Sequence, residues 1–169
     1  PSTFGIERLN VVIFGLKTTT LIPYVLYLAK NISDTTALNK MYGILESYVM
    51  RRIVTHATSK NYNNLFLSLI ANEILDADDL RTRLQAASGT NSYIPTDTEL
   101  QDGFEHSKLM NLYSKGVLYL IESHIRPAQS AVVLHGFNNY SLEHLMPKKW
   151  RNNWPACPTP LDAEKRDSI

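Results

Sequence analysis

The chain has 169 residues, of which 44% are hydrophobic and 20% charged, and a formal net charge of +1. That length suits one ordinary domain, or a helical domain with a small appendage, and the near-neutral balance excludes a global drive toward nucleic acid, leaving only local patches to attract it. One cysteine, Cys157, excludes an internal disulfide framework and fits a reducing cytoplasm.

The opening PSTFGIERLN lacks the charged stretch and apolar run of a secretory signal. Residues 6–16 and 21–32 read as two apolar helices separated by Lys17-Thr18-Thr19-Thr20, with Thr20 as a plausible N-cap and Pro23 tolerated in the first turn. That polar break and Pro23 argue against a membrane span. The pattern begins without Met inside a helix and ends on the polar PLDAEKRDSI, as an excised piece of a longer protein would.

The turn Asn31-Ile32-Ser33-Asp34 leads to the most periodic helix, 37–56. Leu38, Met41, Tyr42, Leu45, Tyr48, Val49 and Ile53 share one face, and Arg52 falls inside it while Arg51 points away. A charge on an apolar face needs an acceptor, so Arg52 is either a structural ion-pair member or a phosphate ligand. Residues 60–75 are apolar nearly all round and should sit centrally. Asp76-Ala77-Asp78-Asp79 offers an N-cap and an acidic first turn for a helix over 80–87, a better reading of that cluster than a calcium loop.

Thr96-Asp97-Thr98-Glu99 has the form of a capping box opening a short helix to residue 103. Residues 107–125 make another long helix, with His124 on its apolar face as a core histidine, and Arg126-Pro127 ends it. Beyond Pro127 the period changes. Ala131-Val132-Val133-Leu134, a turn at 136–139, and 140–144 predict a β-hairpin. The proline-rich terminal segment reads as irregular.

The second strand carries the pair Glu143-His144, followed by Pro147 and by Lys148, Lys149 and Arg151. Neighbours on a flat strand face opposite ways, so the pair can share a pocket only where the strand ends. There the carboxylate can hold a hard divalent cation while the imidazole takes a proton from water near neutral pH. On these residues alone the pair is either catalytic or a carboxylate bridged to a nearby lysine. Lys148, Lys149 and Arg151, with Trp150 and Trp154, are either contacts to nucleic-acid phosphate and bases or a solvated basic turn.

The longer string YSLEHLMPKKWRNNW resembles the opening of the nuclease domain of the GmrSD family of modification-dependent restriction endonucleases, and more broadly the acid–His start of HNH, or His-Me finger, nucleases. LESYVMRRIVTHATSKNYNNLFLSLI, TDTELQDGF and LYLIESHI resemble upstream elements of the same proteins, in the same order. The resemblance implies a mainly α chain, with a helical bundle over 1–127 and, over 128–169, a β-hairpin starting an incomplete HNH-like ββα-metal module. It makes His144 the general base and Glu143 the metal-binding carboxylate, with Mg2+ or Mn2+ as cofactor of the complete enzyme and DNA as its partner.

Lys148 stands where that family commonly has Gln. The family's later G-N-L-T-L strand and Asn/Lys-bearing helix do not follow, so the piece is expected to bind metal poorly and not to cut DNA. The family's nucleotide-hydrolysing domain, with its D-G-Q-x-R motif, would lie outside this chain. The alternative is a non-catalytic helical connector that binds DNA or a partner.

Overall fold

The computed structural model describes residues 5–87, 92–106, 108–109, 111–126, 133–143 and 149–167. Its helices are α1 (Ile6–Asn10), α2 (Ile22–Asn31), α3 (Thr35–Val54), α4 (Tyr62–Ala71), α5 (Ala77–Ala86), α6 (Asp97–His106), α7 (Asn111–Ile125) and α8 (Pro160–Asp167). The chain is mainly α, as its periodicity predicts, and among the described residues no helix is long and apolar enough to cross a membrane.

α3 is the axis of the core. Its N-cap Asp34 accepts from the Thr36 N–H, and the buried face of Met41, Tyr42, Leu45, Tyr48 and Val49 follows the expected spacing. α1, α2, α5 and α6 pack against it. α4 is less central than its composition suggests, because Tyr62, Leu65, Phe66 and Leu69 are buried while Leu67 is exposed. Tyr24 of α2 lies between Tyr27 and Phe66 and donates to the Ile74 carbonyl at 2.7 Å.

Two joints fasten the outer helices. Arg8 of α1 is buried, pairs with Glu46 of α3, and donates to the Leu120 carbonyl at 2.9 Å and to the Ser123 hydroxyl of α7. The helix expected over 6–16 continues past α1 as a π turn, Val11–Gly15, closed by Leu16 N–H to the Val11 carbonyl at 2.9 Å. The wider turn brings Gly15 against the Phe137 ring, where an added Cβ would stand 3.0 Å from it.

The expected β-hairpin is absent from the described residues of its segment. Residues 133–136 and 140–143 are irregular, and Phe137–Asn139 forms a 3-10 turn. The main-chain groups that a ladder would pair at His135 are taken by tyrosines. Tyr119 of α7 donates to the His135 carbonyl at 3.0 Å, and the His135 N–H donates to the Tyr140 hydroxyl at 3.0 Å. Phe137 is buried against Tyr119 and beneath the Lys115 ammonium, so the segment clings to α7. Ala131, Val132 and His144 of that expected hairpin lie outside the described residues.

Two smaller expectations also change. His124 is exposed rather than in the core. The terminal segment is helical at α8, because the Thr159 hydroxyl accepts from the Asp162 N–H and donates to the Asp162 carboxylate, and Pro160 occupies the first helical position, where its missing N–H costs nothing.

Candidate functional site

The last turns of α3 hold the loop before α6. Tyr48, Arg51 and Arg52 lie three and four residues apart, so Arg51, expected to point away from the apolar face, instead reaches the same loop, and all three donate to its main-chain carbonyls. Tyr48 donates to Ser92 at 2.8 Å, Arg52 to Tyr93 at 2.7 Å, and Arg51 to Pro95 at 3.0 Å. Arg51 also pairs with Asp97 at 2.5 Å. Arg52 is 1% exposed and donates to the Thr58 carbonyl as well. Its guanidinium lies 5.5 Å from the Tyr48 and Tyr62 ring centres and 5.8 Å from that of Tyr93. Carbonyl dipoles and ring faces thus stabilise the charge in the interior, which places Arg52 in the scaffold.

Beyond this grip, a cleft of about 610 Å³ opens between the end of α3 and α6, lined by His56, Tyr93, Thr98, Glu99, Asp102 and His106 among others. The predicted capping box forms here: Glu99 accepts from the Thr96 N–H at 2.8 Å and Thr96 Oγ1 accepts from the Glu99 N–H at 3.2 Å. The Thr96 N–H holds the Glu99 carboxyl below its ordinary pKa, helped by the Tyr93 hydroxyl. Asp102 pairs with His106 at 3.1 Å. The sequence signal for that pair is its four-residue helical spacing, whereas the left-handed His56 backbone (φ 53°) at the cleft wall leaves none. Both carboxylates are thus engaged in local structure.

At the corner, Glu143 is exposed and its Oε1 accepts from the Ser141 hydroxyl at 3.2 Å. Lys149 is exposed. Arg151 lies 5.0 Å from the centre of the Trp150 ring and pairs with Asp167 at 2.5 Å. Trp150 is 5% exposed and donates from Nε1 to Asp167 Oδ1 at 3.1 Å. His144 and Lys148 lie outside the described residues. A second cleft, about 470 Å³, runs beside Trp150 and Arg151 to Cys157 and Thr159. Glu143 is an accessible hard oxygen donor, suited to one position of the roughly six that Mg2+ takes. No group of three or more His, Cys, Asp or Glu among the described residues is placed to hold a metal. Comparison with protein-family models, with curated proteins and with solved structures gives no match to this chain.

Proposed function

We propose that the chain is part of a metal-dependent DNA endonuclease of the restriction or phage-defence kind, similar to the GmrSD family. The observation that carries this reading is the string YSLEHLMPKKW, preceded in order by the three other segments that resemble the same proteins. In it His144 accepts a proton from the attacking water, and Glu143 contributes a carboxylate to a divalent cation. The exposure of Glu143 is consistent with that task. Lys148, Lys149 and Arg151 contact the DNA backbone, and the helical body carries the corner. A bound Mg2+ or Mn2+ supplies charge neutralisation at the scissile phosphate and the leaving oxygen.

The test is plasmid cleavage by the protein that contains this chain, with magnesium or manganese, beside its His144→Ala variant. Loss of a general base should slow cutting by ~100-fold or more; undiminished cutting removes His144 from the reaction.

One observation favours a second reading, a non-catalytic connector that binds DNA or a partner. Arg52 and Arg151, the arginines the sequence offers to phosphate, are engaged by the chain's own carbonyls and by Asp167. On this reading both proteins bind DNA or their partner equally well and neither cuts.

A further inference from the structure

We propose that Trp150 and Arg151, with Arg166 beside them, form a phosphate site that the Asp167 carboxylate fills as an internal substitute, so that α8 masks the basic turn until nucleic acid displaces it. This rests on the reading of the chain as DNA-directed and adds to it a means of regulation.

The geometry is that of an anion held by two donors, one on each oxygen. The Trp150 indole N–H reaches Asp167 Oδ1 at 3.1 Å, and an Arg151 guanidinium N–H reaches Oδ2 at 2.5 Å. An indole N–H can only donate, and a guanidinium donates to a phosphate as readily as to a carboxylate. The two non-bridging oxygens of a phosphodiester therefore match both donors. Both guanidinium groups lie over the Trp150 ring, at 5.0 Å for Arg151 and 5.1 Å for Arg166, which concentrates positive charge around it.

The occupant is held lightly. α8 has eight residues, none of them buried, and a helix below about 12 residues is marginal without packing. Its ties to the turn include the two bonds of Asp167, the Arg166 stack and the Arg166 bond to the Pro155 carbonyl at 3.0 Å, all from the last turn of the helix. The Arg151 and Asp167 side chains are 62% and 41% exposed, so a phosphate in solution can compete for the pair.

The test is binding of a fluorescent 20-base-pair duplex, followed by anisotropy from low to moderate salt, for the wild type and for Asp167→Asn, Glu164→Gln, Arg151→Ala and Asp167→Asn/Arg151→Ala. Glu164→Gln removes the same charge from α8 without touching the Trp150–Arg151 donors. Asp167→Asn should bind several-fold tighter, with a salt slope steeper by about 0.9 for one added phosphate contact, and the double variant should lose that gain. Equal gains in Asp167→Asn and Glu164→Gln would reduce the effect to net charge and overturn the site. No gain in Asp167→Asn while the wild type binds overturns the site and leaves the nuclease reading standing. If no variant binds the duplex, the site and the proposed DNA contact fall together.

Discussion

At the scale of single residues, the two adjacent arginines of α3 do different amounts of work. Arg52 is enclosed by three tyrosine rings and bonds to the Tyr93 and Thr58 carbonyls, whereas Arg51 meets an Asp97 side chain that is 91% exposed. Replacing Arg52 leaves two part-buried carbonyls without a donor and a gap among three rings, at a cost of about 3 kcal/mol. Replacing Arg51 should cost less, about 1 kcal/mol, because its Asp97 partner is exposed and its bond to the Pro95 carbonyl is only part-buried. Urea denaturation of Arg52→Ala and Arg51→Ala should therefore show widely separated midpoints. Arg52→Lys should not rescue, since an ammonium cannot span both carbonyls while lying flat on the rings. The place of Arg52 on the apolar face was legible from a 3.6-residue period. Its acceptor was not, because a carbonyl 41 residues away has no side-chain signature.

At the scale of elements, two helical glycines test how closely helices approach. A Cβ on Gly103 of α6 would stand 2.9 Å from the Val54 carbonyl oxygen at the end of α3, a main-chain atom with little room to yield. Gly43 in the middle of α3 has nothing within 4 Å of its would-be Cβ. Gly103→Ala should lower stability by about 1–3 kcal/mol through overpacking. Gly43→Ala should raise it by about 0.5–1 kcal/mol through helix propensity. Thermal unfolding of the two variants should move in opposite directions, and a shared direction would contradict the packing described for α6.

The legibility of each element followed how local its determinants are. The polar turn ending at Asp34, the Asp76–Asp79 cluster and the Thr96–Glu99 box announce α3, α5 and α6, and the caps fall at Asp34, Asp76 and Thr96, with α3 and α5 starting two to three residues earlier than expected. α8 was missed: its prolines read as an irregular tail, although Thr159 caps Asp162 and Pro160 suits the first helical position. The segment 133–143 misled because β-rich composition is a local signal, while the tyrosines that capture His135 come partly from α7.

At the scale of the whole molecule, the aromatic core sets a limit in alkali. Burial pushes the Tyr24 and Tyr48 hydroxyls well above the ordinary phenol range. Their folded pKa is thus higher than their unfolded one, so the stability they confer is fully present below about pH 10 and declines as pH rises past it. Tyrosinate absorbance should rise in two phases, the later one coinciding with loss of helical circular dichroism. Tyr24→Phe should weaken that coupling, whereas a single smooth titration in the wild type would contradict the burial. At this scale the site was only half legible. The Glu143-His144 pair stands out in the sequence, but the engagement of Arg151 and Trp150 by Asp167 depends on a helix returning across 16 and 17 residues, respectively.

The joint at Arg8 carries a consequence for synthesis. Its Glu46 partner follows 38 positions later, whereas the Leu120 carbonyl follows 112 positions later. At ribosomal speeds of about 5–20 residues per second, that second partner arrives on the order of ten seconds after Arg8 itself. The nascent chain can therefore hold α1 on α3 through this ion pair and the buried Leu9 before either α7 partner exists. The last tie waits until α7 has left the ribosome, so the arginine that begins the fold is also among the last to be satisfied.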